Sequence, residues 1–220
     1  MFNDFIINPK VSKAINEGES VVALESTLIS HGLPYPENIK VANESIKAVE
    51  ESGSVAATIG VIKGEIKVGL ENEDIEILAT NKNIEKVSLH NIALSIYEKK
   101  NAATTVATTI NIASKIGINF FATGGIGGVH LGVEKNKDVS ADLTELSRNR
   151  IFVISSGAKS ILDLEKTFEK LETFGIPRIA YNSNFMPGFW YEETDYKVDK
   201  NFNNIDDIAN YLRIINNLKR

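Results

Sequence analysis

The sequence contains no cysteine among its 220 residues. This absence excludes disulfide bonds and thiolate metal sites, so a bound metal would need oxygen or imidazole ligands. Only three histidines are present, and no pair of them has the spacing of a zinc site. The composition fits an intracellular protein, and we expect a cytoplasmic location.

Long apolar runs and an excess of basic residues are also lacking. The first ten residues do not combine a basic start with an apolar core, and no later run approaches the length of a membrane span. The net charge is -5 and the pI is near 5.4, which argues against a surface for nucleic-acid phosphates. We therefore expect a small-molecule ligand, with neither a nucleic acid nor a membrane as partner.

Strand and helix patterns alternate along the chain without a repeat, a low-complexity tract or a linker. Val21–Leu24 has the composition of a buried strand, and Lys63-Gly64 has the spacing of a tight hairpin turn. The Ala/Thr-rich stretch 102–116 is typical of a helix. The alternation predicts a single α/β domain over residues 1–220, with a mixed sheet flanked by helices and functional groups at the carboxyl ends of strands.

Lys159 follows a predicted strand and lies in the first turn of a predicted helix that begins at Ala158 or Lys159 and extends to Phe174. The helix dipole disfavours an ammonium ion there, so the neutral amine could attack a carbonyl carbon and form a Schiff base. A solvated surface lysine explains the same position, because one residue is a weak motif.

Glu25 ends the first buried strand, where burial would raise the pKa of its carboxyl group toward neutrality. Such a group could act as a general acid. A carboxylate that accepts hydrogen bonds from nearby amides is the alternative.

The segment 123–128, Thr-Gly-Gly-Ile-Gly-Gly, would let main-chain amides approach an anion closely. It matches neither the P-loop nor the dinucleotide-binding fingerprint, and a tight turn explains it equally well. His31 and His130 adjoin glycine-bearing loops and are candidates for ligand contacts.

Asp138 could offer a hard oxygen ligand to a divalent cation, while Ser140 and Asp142 could form hydrogen bonds with hydroxyl groups. Helix capping competes with this interpretation, because Ser140 directly precedes the predicted helix and Asp142 would complement its start. The spacing alone favours capping.

Several longer segments carry more specific information than these single residues. They are 23–36 (ALESTLISHGLPYP), 102–106 (AATTV), 121–130 (FATGGIGGVH), 140–143 (SADL) and 156–163 (SGAKSILD). Together and in this order they closely resemble the pseudouridine-5'-phosphate glycosidase family, also called indigoidine synthase A-like. The similarity spans almost the whole chain and favours Lys159 as a nucleophile.

The resemblance implies an enzyme that reversibly cleaves the carbon-carbon glycosidic bond of pseudouridine 5'-phosphate, giving uracil and ribose 5-phosphate. It further implies a manganese ion (Mn2+) and a homotrimer. Lys159 matches the family's nucleophile, Glu25 its proton donor and Asp138 its metal ligand. The implied substrate contacts are Lys86, Val106, Ser140, Ala141, Asp142, Thr123 and His130.

Two departures from the family pattern set further expectations. After residues 86–88 the family usually has Arg-Arg-Asp, whereas this chain has Leu89-His90-Asn91, which removes two positive charges. Family members also usually continue beyond the equivalent of Arg220 into a phosphate-binding Asn-Pro-x-Pro loop, so we expect a C-terminally short member. A non-catalytic family member and a Schiff-base lyase for another sugar phosphate are the alternative functions.

Overall fold

The computed structural model describes residues 5–218, and the domain expected over residues 1–220 extends beyond them at both ends. The described chain divides into two compact units. The first comprises residues 5–123 and Ile151–Ile154, and the second comprises Gly124–Arg150 and residues 155–218. The single domain stays a prediction.

The first unit contains an eight-stranded sheet of parallel and antiparallel strands. The strands are β1 (Phe5–Ile7), β2 (Val21–Leu24), β3 (Val55–Ile62), β4 (Glu65–Val68), β5 (Glu85–Val87), β6 (Ala102–Thr104), β7 (Phe120–Ala122) and β8 (Phe152–Ile154). They follow the order β1-β4-β3-β2-β7-β8, while β6 pairs with both β3 and β5. Because β3, β2, β7 and β8 are mutually parallel, their carboxyl ends share one edge of the sheet.

Helices pack against this sheet. They are α1 (Pro9–Glu17), α2 (Glu37–Glu51), α3 (Asn72–Thr80), α4 (Ile92–Tyr97) and α5 (Val106–Lys115), and a π-helical turn at Leu28–Gly32 precedes α2. Helices α1 and α2 lie against β3, and α5 lies against β2 and β6. Apolar side chains such as Ile59, Leu78 and Phe121 are fully buried between these layers. The predicted mixed sheet flanked by helices is confirmed.

The hairpin predicted at Lys63-Gly64 joins β3 to the antiparallel β4. Both turn residues have positive φ, 53° for Lys63 and 81° for Gly64, as a two-residue turn with the twist of the flanking strands requires. A Cβ atom at Gly64 would lie 2.6 Å from the carbonyl oxygen of Ile96. Glycine is therefore needed there for packing as well as for conformation.

The helix predicted over 102–116 is wrong at its start. Ala102–Thr104 form strand β6 instead, between β3 and β5, and all three residues are fully buried. Helix α5 begins only at Val106, after Thr105 caps it by accepting a hydrogen bond from the Thr108 N–H group. Strand pairing on both sides overrides the helix propensity of alanine.

The second unit contains helices α6 (Val133–Asn136), α7 (Ala141–Arg148), α8 (Leu164–Thr173) and α9 (Ile205–Asn217), with the parallel strands β9 (Ile179–Tyr181) and β10 (Lys200–Phe202). Arg178, just before β9, holds Asp199, just before β10, through a guanidinium-carboxylate contact of 2.7 Å. Within residues 5–218, every helix is too short or too polar to cross a bilayer.

Candidate active site

Glu25 and Thr123 meet at the carboxyl-end edge of the sheet. Leu24 of β2 is paired with Ala122 of the parallel strand β7, so the next residue of each strand leaves the sheet at the same level. The Thr123 hydroxyl group donates a hydrogen bond to Oε1 of Glu25. Glu25 is half-buried, and the Thr123 hydroxyl is one hydrogen-bond partner of its carboxylate. The general-acid role and the alternative of hydrogen bonds from nearby amides both stay predictions.

Thr104 supports the segment that follows Glu25, and sequence reasoning did not identify this role. The Thr104 N–H group donates to Oγ of Ser26 at 2.8 Å, and the Thr27 hydroxyl donates to the Thr104 carbonyl at 2.8 Å. The Thr104 hydroxyl itself donates to the Ile59 carbonyl at 2.7 Å. The hydroxyl-rich pair Thr104-Thr105 directly after two alanines is the signal that could have revealed it.

Lys86 lies on β5 with an exposed side chain, near His31 of the π-helical turn. Partial burial and the positive charge of Lys86 lower the pKa of His31 below its ordinary value of 6.5. Val106 begins α5 and is only 1% exposed.

Asn91, which replaces an expected aspartate, closes the turn after β5. Its side-chain oxygen accepts a hydrogen bond from the Ser88 N–H group at 2.8 Å, and its amide donates to the Lys86 carbonyl at 3.1 Å. The turn is thus complete without the family's usual acidic residue. His90 is exposed and Leu89 is half-buried.

Lys159 lies in the second unit on an irregular segment, 156–163, that pairs with residues 124–130, which we call the glycine loop. Main-chain hydrogen bonds join Ile126 N to Gly157 O, Lys159 N to Ile126 O (both 3.0 Å) and Asp163 N to Val129 O (2.9 Å). The main chain of Lys159 is therefore fixed on the glycine loop.

The helix predicted to begin at Ala158 or Lys159 is wrong at that end, because α8 begins at Leu164. Asp163 caps it by accepting a hydrogen bond from the Lys166 N–H group at 3.1 Å. Residues 156–163 bond to the glycine loop instead of forming a helical turn. The helix dipole therefore does not act on Lys159 as the sequence suggested.

The side chains of Lys159 and Lys166 differ in their partners. Lys166 lies 2.6 Å from a carboxylate oxygen of Glu134 and 2.7 Å from one of Asp163, and these hydrogen bonds raise its pKa. Within residues 5–218, Lys159 is half-buried and its amine forms no ion pair or side-chain hydrogen bond. No carboxylate there competes for the Lys159 amine.

Glycines of the loop allow close packing against neighbouring side chains. A Cβ atom at Gly127 would collide with the hydroxyl of Ser140 and lie 2.7 Å from Oδ2 of Asp142. At Gly128 it would collide with Thr167. Packing inside the unit thus explains these two glycines, which sequence analysis associated with phosphate binding or a tight turn.

Asp142 and Ser140 both hold local main chain. The Asp142 carboxylate, only 6% exposed, accepts a hydrogen bond from the Gly127 N–H group at 2.7 Å. Ser140 caps α7 by accepting a hydrogen bond from the Asp142 N–H group at 3.2 Å, as the capping interpretation expected. Ala141, between them, is exposed.

Asp138, the predicted metal ligand, lies near His130 in this unit. Oδ2 of Asp138 lies 3.9 Å from Nδ1 of His130, with side chains 58% and 37% exposed. Among residues 5–218 there is no group of three or more side chains of the metal-binding types. Asp138 therefore offers a single carboxylate to a cation.

The fold and these residues define a mixed α/β protein with polar groups after the carboxyl ends of parallel strands and a lysine fixed on a glycine loop. The family model for indigoidine synthase A like proteins matches residues 10–220. The chain therefore belongs to the indigoidine synthase A-like family, as its sequence motifs predicted.

Relatives and solved structures agree with this assignment. The chain is 50% identical over 206 residues to a pseudouridine-5'-phosphate glycosidase of Brachyspira hyodysenteriae, covering 94% of this chain and 67% of the relative. It is 51% identical over 189 residues to the glycosidase of the same name from Staphylococcus aureus, covering 86% and 62%. The chain thus spans about two thirds of the length of these relatives. The prediction of a family that contains pseudouridine-5'-phosphate glycosidases is confirmed by their names.

Two crystal structures are similar over nearly the whole chain. One is the prealnumycin C-glycosynthase in complex with ribulose 5-phosphate, with a TM-score of 0.89, 37% identity, and coverage of 97% of this chain and 69% of that one. The other is an indigoidine synthase A-like protein from Thermotoga maritima, with a TM-score of 0.89, 37% identity, and coverage of 99% and 71%.

Proposed function

We propose that this protein reversibly cleaves pseudouridine 5'-phosphate into uracil and ribose 5-phosphate, through a Schiff base on Lys159. The names of relatives at 50% and 51% identity support the substrate and the reaction. Ribulose 5-phosphate in the similar C-glycosynthase structure supports a sugar phosphate as the ligand class.

The observation that carries the proposal is the state of Lys159. Its main chain is fixed by the hydrogen bond to Ile126. The residue is half-buried, and its amine has no carboxylate partner among residues 5–218. A nucleophilic amine must be held in place and must not be occupied by an ion pair with a carboxylate. Lys166, held between two carboxylates, meets only the first requirement.

In the proposed reaction, the nitrogen lone pair of Lys159 attacks C1' of the ribose while the bond from C1' to the ring oxygen breaks. The ring oxygen takes a proton from Glu25, and the new amine loses one. The nitrogen lone pair then forms a double bond to C1' as the bond from C1' to C5 of uracil breaks. C5 takes up a proton, equivalent to the one that the amine released, as this bond breaks, and the bonding electron pair restores the C5–C6 double bond of uracil. Water then hydrolyses the iminium, releasing ribose 5-phosphate and free Lys159.

The remaining site roles are proposals that follow from the family resemblance. Glu25 belongs to the first unit and Lys159 to the second, so their shared reaction rests on that resemblance. The proposed substrate contacts are Lys86, Val106, Thr123, His130, Ser140, Ala141 and Asp142. For Ser140 and Asp142 this role would be added to the main-chain hydrogen bonds that they already form.

We further propose that the protein is cytoplasmic, forms a homotrimer and uses manganese, with Asp138 as one ligand. The exposed carboxylate of Asp138 suits a hard cation, which could polarise a substrate oxygen when bound. Light scattering on the purified protein tests the trimer, and cell fractionation tests the location.

Borohydride trapping tests the proposed chemistry. The protein is incubated with ribose 5-phosphate, reduced and digested, and mass spectrometry locates the adduct. An adduct on Lys159, together with uracil release from pseudouridine 5'-phosphate, supports the proposal. An adduct without uracil release points to a Schiff-base lyase for another sugar phosphate. No adduct and no release points to a non-catalytic family member.

A further inference from the structure

Thr167, on the first half of α8, connects this helix to the glycine loop. Its side chain is fully buried. The hydroxyl group donates to the Asp163 carbonyl at 2.7 Å and accepts from the Val129 N–H group at 2.9 Å. Both hydrogen-bonding functions of this hydroxyl are thus used, and one of them bonds a residue 38 positions away in the sequence.

These bonds add to the main-chain hydrogen bonds that join the glycine loop to the segment that carries Lys159. The carbonyl of Val129 accepts from the Asp163 N–H group at 2.9 Å, while its N–H group is held by Thr167. Three residues earlier in the loop, Ile126 accepts the hydrogen bond from the Lys159 N–H group at 3.0 Å. A shift of the loop would therefore move the main chain of Lys159.

Threonine hydroxyls in helices often bond the carbonyl four residues earlier without further effect. Thr173 on the same helix does this, donating to the Glu169 carbonyl at 2.8 Å, and its side chain is exposed. Thr167 differs because its hydroxyl also accepts from a buried loop amide. The close approach of Gly128, where a Cβ atom would lie 2.5 Å from Cγ2 of Thr167, shows that the loop packs tightly on this side chain.

We propose that Thr167 is a positioning residue that fixes the glycine loop and thereby the reactive amine of Lys159. This inference rests on the proposed Schiff-base function. Thr167 is buried and is not among the residues expected to touch substrate, yet in this proposal it controls the geometry of the nucleophile.

Thr167→Val keeps the shape of the side chain and removes both hydrogen bonds. We expect kcat for uracil release to fall about 10- to 100-fold with little change in KM, because a misplaced nucleophile loses transition-state alignment. Thr167→Ser keeps the hydroxyl and should restore most of the turnover. Thr173→Val, the same substitution on the same helix, should leave kcat unchanged. Equal kcat for Thr167→Val and wild type would overturn the proposal.

Hydrogen exchange separates failure of this proposal from failure of the proposed function. Thr167→Val should speed exchange of the Val129 and Lys159 amides, whereas Thr167→Ser and Thr173→Val should not. Unchanged exchange overturns the positioning role whatever the activity. If exchange is faster in Thr167→Val but the wild type releases no uracil, Thr167 keeps its role in loop geometry and the glycosidase function is rejected. Should Thr167→Val fail to fold, Thr167→Ala, which leaves room for a water molecule, takes its place in both measurements.

Discussion

The hydroxyl group of Thr123 donates a hydrogen bond to the carboxylate of Glu25, where two neighbouring parallel strands leave the sheet. Strand register alone brings these residues together, because Leu24 and Ala122 are paired in the preceding position. The proposed proton donor thus has its orientation set by a residue 98 positions later in the chain.

Removing this hydroxyl should impair turnover. Thr123→Val keeps the size of the side chain but leaves the Glu25 carboxylate without this donor, so we expect kcat to fall about 10- to 100-fold through loss of orientation. Thr123→Ser should retain most of the activity. Steady-state kinetics of uracil release measure both variants, and a Thr123→Val enzyme with normal kcat would remove Thr123 from the site.

Replacement of Lys159 should abolish the reaction without unfolding the protein. Lys159→Met removes the amine from a half-buried side chain that has no ion pair within residues 5–218, so stability should change little. Uracil release and the borohydride adduct should both disappear. Lys166→Met provides the matched control, since it removes an amine that is bound by two carboxylates, and it should retain the adduct. Normal turnover in Lys159→Met would contradict the covalent mechanism.

The sequence predicted the sheet class, the hairpin at Lys63-Gly64 and the position of Glu25 at a strand end correctly, because alternating strand and helix patterns, turn residues and strand ends all have local signals. It misplaced the start of α8, because the hydrogen bonds of residues 156–163 go to the glycine loop some 30 residues earlier. The same reason explains why Ala102–Thr104 form a strand: its partners lie in β3 and β5. Pairing between distant segments is not encoded in local propensity.

Site geometry was less predictable than the fold. Asp142 carried signals for both capping and substrate binding, and its bond to the Gly127 N–H group depends on how the glycine loop returns to α7. Thr104 and Thr167 were not identified: the pair Thr104-Thr105 after two alanines was the one signal for Thr104, and the sequence around Thr167 has no distinctive pattern. The family motifs identified Lys159 as the nucleophile through resemblance, while the lack of an ion pair at its amine among residues 5–218 became visible only in three dimensions.

Manganese dependence should respond to Asp138. Asp138→Ala removes a carboxylate and its negative charge from the proposed cation position, so half-maximal activation should require more manganese. Activity is measured across a manganese titration after removal of metal with a chelator. Asp138→Asn, which keeps an oxygen ligand without the charge, should have an intermediate effect. An unchanged titration curve in Asp138→Ala would exclude this residue from the metal site.

Protonation of His31 should depend on Lys86. Partial burial lowers the pKa of His31 first, and the Lys86 charge lowers it further. Lys86→Met should therefore raise the pKa of His31 only part of the way toward 6.5, as measured by NMR titration of the imidazole. Lys82→Met, a matched loss of charge just before β5, should leave it unchanged. A pKa in Lys86→Met equal to that of the wild type would show that burial alone acts on His31.

His31 also makes a contribution to stability that depends on pH. A lowered pKa means that the unfolded chain binds the proton more readily than the folded chain, so stability falls as the pH decreases below about 6.5. Lys86→Met should make this decrease smaller. Urea unfolding between pH 5 and pH 8 measures how the free energy of unfolding depends on pH. Because a single histidine is involved, the unfolded and folded chains differ by about one bound proton at most.

Asp142 should contribute more to stability than to substrate affinity. Its carboxylate is buried and bonded to the Gly127 N–H group, so Asp142→Ala leaves a buried amide without this acceptor. Hydrogen bonds to charged groups are worth about 1.5 to 3 kcal/mol, and we expect the free energy of unfolding to fall by this amount in urea. Asp142→Asn retains an acceptor oxygen and should lose less. Asp138→Ala, at an exposed carboxylate four residues earlier, should change stability by less than about 0.5 kcal/mol. If Asp142→Ala unfolded at the same urea concentration as the wild type while KM rose sharply, Asp142 would act mainly on substrate, and the glycine loop would be held by its other contacts.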